Sequence, residues 1–374
     1  MSFKRGLWIV LVGTICLSAN AHASTISLAD YDSLLEQYVP SEFSWESSVP
    51  VASEIKDQGR TPYCGLYAMA TFLELWGKGG RPSYANPAID TSYIAVGYNR
   101  MVSGGSGGTS PIWLAATTQI FGAVPKGATL HTDAKIKWPL PKWHFLHWKL
   151  MDPRLTDPIL KGKWSHPTTG EAKYSGRDYL TRVLRMDFTQ MVMIHTTWEE
   201  KFAAVDNPSE ATAPPEYRAK SVAATAEVMG KIGQKIGIPM GYVPLPALSV
   251  YRSVRRHLTS RRPAYLSLTV GLTKESFAKH VVVAKEHLVP KHGGKDWMHA
   301  VVAVAHCDTI ETRDPICRQF APYMQRAKIK ECIAIQNSWG EKAHAHGYTC
   351  LDPVAFARSV KGALVLKTAL PKRN

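Results

Sequence analysis

Three side chains far apart in the sequence have the chemistry of nucleophilic catalysis: Cys64, His299 and Asn337. A thiolate attacks carbonyl carbon, an imidazole carries the proton, and an amide oxygen holds that imidazole in orientation. Gln58 lies six positions before the cysteine. Its side-chain N–H, together with the backbone N–H of Cys64, can form an oxyanion hole. A lone cysteine is more often an inert buried residue, so the hypothesis depends on the downstream histidine and asparagine.

The elements around these residues can be predicted from hydrophobic patterning. An apolar run from Leu66 to Trp76 predicts a buried helix that ends at Gly77–Gly80 and begins at Cys64. The positive end of the helix dipole then favours the thiolate form of the cysteine. His299 begins one apolar, β-branched run and Asn337 ends another, so each predicts a strand end. If these strands pair antiparallel, the imidazole and the amide meet.

Several segments, in order, resemble the papain/cathepsin family of cysteine peptidases. They are Lys56-Asp-Gln-Gly59, Cys64, Gly104–Gly108, His299-Ala-Val301, Asn337-Ser-Trp-Gly340 and Gly347-Tyr348. The resemblance covers residues from about 40 to 126 and from about 247 to 360. It implies an α+β, two-lobed fold and a site that needs no cofactor and no metal. It also implies that Gly107 and Gly108 bind substrate backbone, and that Trp339 shields the His–Asn hydrogen bond.

The sequence departs from the family pattern around the nucleophile and around Trp339. Thr61-Pro-Tyr-Cys-Gly65 stands where the family usually has Cys-Gly-Ser-Cys-Trp, so a nearby disulfide and a tryptophan are missing. Met298 occupies the position where an aspartate often precedes the histidine. The second tryptophan of the family's Trp-Gly-x-x-Trp-Gly pattern is also absent after Trp339. We therefore expect a divergent member that keeps the atoms for chemistry.

The first 23 residues have the features of a secretory signal peptide. A basic start precedes a short apolar segment, Leu7 to Leu17, and an Ala-x-Ala cleavage site ends at Ala23. A lipid-modified Cys16 is a rival interpretation with a poorly matching context. Residues 24–40 form only a short stub before the segment that resembles the start of a mature enzyme.

No further apolar run is long enough for a transmembrane segment. The formal net charge is +15, but its lysines and arginines are scattered, and no nucleic-acid-binding module is recognisable. We expect a monomer that is secreted or periplasmic.

The chain divides into a helical lobe with the nucleophile (41–125), an insertion (126–246) and a β lobe with the histidine and asparagine (247–374). The insertion is expected to be a loop or hairpin between Lys135 and Lys163, followed by helices over 176–186 and 218–232. His144 and His147 have metal-like spacing but no companion ligands. Because the resembled core is complete without it, the insertion either flanks the cleft and restrains or selects substrates, or only decorates the fold.

The β lobe contains four cysteines that suit an oxidising compartment. If Cys16 leaves with the signal and Cys64 stays free, two bridges can form, in one of three pairings. The sequence does not choose among the pairings. The four disulfide candidates are Cys307, Cys317, Cys332 and Cys350.

These features together predict a cysteine peptidase that hydrolyses peptide or protein substrates through a thioester on Cys64. His299 then protonates the leaving amine, Asn337 orients the imidazole, and Gln58 holds the oxyanion. Two alternatives stay open. One is a catalytically silent binding protein on the same scaffold, and the other is an amidase or acyltransferase that uses the same site.

Overall fold

The structure is a computed structural model, and only part of the chain is described. The described residues are 54–80, 88–102, 111–140, 152–167, 173–184, 186, 191–197, 241–260, 262–270, 280–284, 297–308 and 314–366. Several sequence predictions lie outside these ranges: the signal peptide, Cys16, the stub 24–40, Gly107, Gly108, His144, His147 and the helix over 218–232. None of the helices in the described ranges combines the length and the hydropathy needed to cross a membrane.

Three helices form the first half of the fold. Helix α1, Cys64–Gly80, buries its apolar positions from Leu66 to Trp76. Helix α2, Thr91–Met101, begins after Asp90, whose carboxylate accepts hydrogen bonds from the first backbone N–H groups. Helix α3 spans Pro111–Phe121. The bounds of α1 agree closely with the sequence prediction.

The second half is a sheet that mixes parallel and antiparallel strands. Among the described residues, eight strands lie in the order β5-β4-β11-β6-β8-β9-β10-β7. Their bounds are β4 Met191–Thr197, β5 Gly241–Pro246, β6 Ala264–Val270, β7 Val282–Val283, β8 Trp297–Asp308, β9 Glu331–Gln336, β10 Tyr348–Leu351 and β11 Val360–Leu366. Strands β8 and β9 are antiparallel neighbours at the centre, as the placement of the histidine and the asparagine required. This is the α+β architecture that the sequence predicted.

Helices cover this sheet and connect it to the first half. Helices α6, Ala247–Thr259, and α9, Pro353–Ser359, pack against each other and against the sheet. Two short helices, α7 Pro315–Arg318 and α8 Ala321–Arg326, precede β9. Helix α1 packs on β8, so the helix that begins at the cysteine meets the strand that carries the histidine.

The stretch between Lys135 and Lys163 contains a helix that the sequence analysis missed. Helix α4, Pro153–Leu160, is capped by Asp152 and buries Ile159 and Leu160 on one face. Its apolar positions are few, and Pro158 lies inside it, so the hydrophobic pattern was too weak to predict a helix. Strands β1 Thr129–His131, β2 Lys163–Ser165 and β3 Lys173–Tyr174 form a small antiparallel sheet beside it.

The helix predicted over 176–186 is shorter in the structure, and most of it is π-helical. A short helix, α5 Gly176–Asp178, continues as a π-helical turn over Tyr179–Val183. Gly122, at φ +85°, passes so close to α5 that a Cβ there would lie 2.0 Å from the backbone of Gly176. The helix following the small sheet is therefore packed directly on the end of α3.

Aromatic residues of the insertion are partly core residues. Trp164 is fully buried, stacks edge-on against Tyr93 of α2, and contacts Trp138 with ring centroids 5.1 Å apart. The Trp138 indole N–H donates to the buried carboxylate of Asp90 at 3.1 Å. These two tryptophans therefore pack the insertion against α2. Trp143 and Trp148 lie outside the described residues.

Two strands from the same interval belong to the main sheet. Strand β4 pairs antiparallel with β11 and parallel with β5. This part of the insertion extends the sheet of the β lobe, because β4 pairs with the backbone N–H and C=O groups along the otherwise open edge of β11.

One disulfide connects β8 to helix α7, and a second connects β9 to β10. Cys307 is bonded to Cys317, and Cys332 to Cys350, with Cα–Cα distances of 5.2 and 5.6 Å. The prediction of two bridges is confirmed, and the structure selects one of the three pairings. Cys64 is the free thiol among the described residues.

We predict that mass mapping of the non-reduced mature protein finds these two linkages and an alkylatable Cys64. Replacing Cys332 and Cys350 with serine should lower the free energy of unfolding by about 3 kcal/mol, because the bridge closes a loop of 18 residues. Denaturant unfolding of the wild type and the double variant measures this difference. A Cys307–Cys332 linkage in the peptide map would contradict the assigned pairing.

Candidate active site

The nucleophile candidate lies where α1 meets β8. Cys64 is the first residue of α1, and the backbone N–H groups of Ala300, Gly65 and Cys64 itself lie close to its sulfur, where they favour the thiolate form. Ala300 directly follows His299 in β8. The helix terminus therefore places the thiol against the strand position that carries the imidazole.

His299 and Asn337 form a buried hydrogen-bonded pair. The His299 Nε2 atom lies 2.9 Å from Asn337 Oδ1, and each residue is only 2% exposed. The backbone N–H of Ser338 donates to the same oxygen at 2.8 Å, which fixes the amide orientation. An amide oxygen only accepts, so Nε2 carries the proton and Nδ1 is the basic nitrogen of the neutral ring.

Gln58 is held from both ends of its side-chain amide. Its Oε1 accepts a hydrogen bond from the Ser338 hydroxyl, and its Nε2 donates to the Thr61 carbonyl at 2.7 Å. The amide nitrogen has a second N–H, which suits a donor to an oxyanion. Sequence reasoning missed Ser338, since 280 residues separate it from the glutamine.

A short backbone ladder joins the segment of Gln58 to the segment of Asn337. The Gln58 N–H donates to the Ser338 carbonyl at 2.8 Å, and the Gly340 N–H donates to the Lys56 carbonyl at 3.1 Å. Gly340 adopts φ +83°, which favours glycine. The ladder ties the oxyanion donor of one half to the orienting amide of the other.

A buried ion pair anchors this segment to α1. The Lys56 ammonium lies 3.2 Å from the Glu74 carboxylate, with side chains 3% and 0% exposed. Glu54 extends the chain of charges to Lys126 at the surface, at 2.7 Å. Because Glu74 belongs to α1, which begins at Cys64, the ion pair connects the segment that contains Gln58 to this helix.

Trp339 packs over the His299 ring. Its ring stacks on His299 with centroids 4.9 Å apart and an interplanar angle of 29°. It also stacks on His344 at 5.5 Å and 28°. The indole thus lies where the sequence resemblance placed it, against the imidazole that bonds to Asn337.

Comparisons with known proteins agree with this architecture. No protein-family model and no curated protein matches the chain. The solved structure of PepW from Lactobacillus rhamnosis HN001 is similar over 90% of this chain and 84% of its own, with 12% identity and a TM-score of 0.51. The chain has a papain-like fold.

Two further solved structures are similar but superpose less closely. Xylellain, a cysteine protease from Xylella fastidiosa, has 12% identity and a TM-score of 0.43, with 90% of this chain and 88% of that chain covered. The Carica candamarcensis cysteine protease CMS1MS2, solved with E-64, has 11% identity and a TM-score of 0.38, over 84% and 92%.

The sequence predicted a thiolate at Cys64, but burial favours the uncharged forms of both Cys64 and His299. Burial raises the pKa of the Cys64 thiol, although the three backbone N–H groups at its sulfur act in the other direction. Burial also lowers the pKa of His299 to about 4, against the stabilising bond to Asn337. Both shifts favour a neutral thiol beside a neutral imidazole, because desolvation outweighs the helix terminus here.

The described residues also contain one grouping of sulfur atoms with metal-like spacing. The sulfurs of Cys307, Cys332 and Cys350 lie within 4.8 Å of one another. All three are engaged in disulfides, so none offers the thiolate that a metal requires.

We predict that Glu74→Gln lowers the free energy of unfolding by about 3 kcal/mol, because it removes the fully buried partner of the Lys56 ammonium and leaves only the half-exposed Glu54 carboxylate at 3.5 Å. Lys126→Ala is the matched control, since its partner Glu54 is half-exposed and exposed pairs contribute about 0–1 kcal/mol. Urea unfolding of both variants measures the difference. Equal effects would show that the buried pair does not anchor the segment.

Proposed function

We propose that the chain is a cysteine peptidase that hydrolyses peptide bonds through a thioester on Cys64. The observation that carries the proposal is the convergence of the Cys64 sulfur on the Ala300 N–H, next to a His299 ring already bonded to Asn337. A nucleophile, a base and an orienting group in this relation are the arrangement that acyl transfer requires.

In the proposed reaction the Cys64 sulfur attacks the scissile carbonyl as its proton passes to His299 Nδ1. The carbonyl oxygen becomes an oxyanion that accepts from the Cys64 backbone N–H and from the second N–H of Gln58. His299 then gives its proton to the leaving amine, and the carbon–nitrogen bond breaks. Water attacks the thioester carbonyl, His299 accepts its proton, and the acid is released with the thiol restored.

Because Cys64 and His299 are both neutral at rest, the proton moves from the thiol to the imidazole while the sulfur attacks the substrate carbonyl. Since burial disfavours both charged forms, the ion pair forms when a substrate carbonyl provides the acceptor for negative charge. Asn337 supports this step, because its oxygen stabilises the imidazolium that forms. Trp339 excludes water from that hydrogen bond, and so keeps it strong.

Peptides or proteins are the proposed substrates, with Gly107 and Gly108 along the substrate backbone. The proposed location is secreted or periplasmic. Two disulfides support this location, since such bridges persist in oxidising compartments.

A silent papain-like binding protein is the second candidate, and the raised pKa of the Cys64 thiol favours it.

We predict that Cys64→Ser and His299→Ala abolish cleavage of a fluorogenic peptide library, and that Cys64→Ser does so without a change in thermal midpoint. Gln58→Ala should lower kcat/KM by about 100- to 1000-fold, the loss typical of one oxyanion donor. Wild-type turnover in any of these single variants would contradict the assigned roles. Hydrolysis of cell-wall amides but not of peptides would favour the amidase.

The pH dependence should follow the burial of His299. We predict that kcat/KM falls as the pH drops through about 4, because the ring then holds a proton that it must be able to accept from the thiol. An unperturbed histidine would lose activity near its usual value of about 6.5. An acid limb near pH 6.5 would therefore show that the site is more hydrated than the structure indicates.

A further inference from the structure

A second histidine contacts the indole that packs over the His299 ring. His344 stacks on Trp339, as His299 does, with interplanar angles of 28° and 29° respectively. His344 occurs in the segment where the papain/cathepsin pattern places a second tryptophan. It contacts Trp339 and no catalytic group directly, so any effect on the reaction acts through the indole.

The backbone of His344 is in an uncommon conformation. Its φ is +52°, a left-handed value that costs a non-glycine residue about 1–3 kcal/mol. The turn that enforces it is closed by bonds from the Ala343 N–H to the Gly340 carbonyl, at 3.2 Å, and from the Gly347 N–H to the Ala343 carbonyl, at 2.6 Å. This turn directs the His344 ring back onto Trp339.

The segment before β7 lies beside the His344 ring. The backbone of His280, in this segment, is close to the ring. Strand β7 pairs with β10, and β10 begins at Tyr348, directly after Gly347. His344 therefore lies next to a segment that the main sheet fixes, and can transmit that rigidity to the indole.

We propose that His344 is a positioning residue: its neutral ring clamps Trp339 against the His299–Asn337 pair and keeps that hydrogen bond dry. The proposal rests on the proposed peptidase function for its kinetic effect, but the clamp itself is a statement about structure. Stacking against a second ring limits the tilt of an indole whose other contact is the catalytic imidazole.

The clamp has to be uncharged to work. A proton on His344 would place a positive charge close to His299 and oppose the imidazolium that forms in the reaction. Burial lowers the pKa of His344 to about 4, with a further contribution from His280, so the ring is neutral at neutral pH. The ionisable groups around it are His299 and His280, together with Glu341, Lys342 and His346 of its own turn.

The test compares three variants. His344→Ala removes the stack, His344→Phe keeps a ring but no titrating group, and His346→Ala is the control. His346 is the same residue type in the same turn, with the same φ of +52°, but it is exposed. The measurements are kcat and KM on one peptide substrate, the acid limb of kcat/KM, and the thermal midpoint.

We expect His344→Ala to lower kcat by about 10- to 100-fold with little change in KM, because a misplaced catalytic group costs up to about 100-fold. His344→Phe should recover most of kcat and move the acid limb to higher pH, since loss of the neighbouring charge raises the pKa of His299. His346→Ala should leave both unchanged. Equal kcat in the alanine and phenylalanine variants would overturn the proposal.

A second readout separates failure of the clamp from failure of the peptidase function. In histidine-labelled protein, NMR detects the Nε2 proton of His299 while it is shielded in its bond to Asn337. We expect rapid solvent exchange of this proton in His344→Ala and slow exchange in wild type and His344→Phe. An unchanged exchange rate in His344→Ala would overturn the clamp even if no peptide is cleaved by the wild type.

Discussion

The hydrogen-bonded ladder between the segment of Gln58 and the segment of Ser338 is the constraint on which the site depends. Its bonds from Gln58 to Ser338 and from Gly340 to Lys56 join residues that are nearly three hundred positions apart. One segment is also tied to α1 by the buried Lys56–Glu74 pair. The other continues directly from the asparagine that orients His299. Loosening the ladder would separate the oxyanion donor from the base while leaving each half folded.

Burial explains both the strength and the charge state of the site. Neighbouring groups cover the histidine, the asparagine and the glutamine almost completely, so water does not compete for their hydrogen-bonding groups. The same burial removes the solvation that a thiolate and an imidazolium need, and their charges are disfavoured until a substrate arrives. A helix terminus beside a cysteine is therefore not sufficient evidence for a preformed thiolate.

The sequence was informative where the controlling interactions are local. The apolar run after Cys64 and the strands around His299 and Asn337 all follow from nearby residues. Ser338 could not be found in this way, because its partner Gln58 is 280 residues away. Glu74 was missed because its partner Lys56 lies outside its own helix, 18 residues away. Helix α4 was missed for a local reason, since its weak pattern is interrupted by a proline. Cysteine pairing could not be predicted even from strand register, because Cys307 lies opposite Cys332 across β8 and β9 but is bonded to Cys317.

The separation of 280 residues between Gln58 and Ser338 has a consequence for biogenesis. In the proposed secretory route, Cys64 is synthesised long before the segments that enclose it, so it would enter an oxidising compartment as an unprotected thiol. The four other cysteines pair over only 10 and 18 residues, and such short loops close quickly once the β lobe emerges. Local pairing thus removes the four cysteines that could form a non-native disulfide with Cys64. Such a disulfide can form only before the last strands are synthesised.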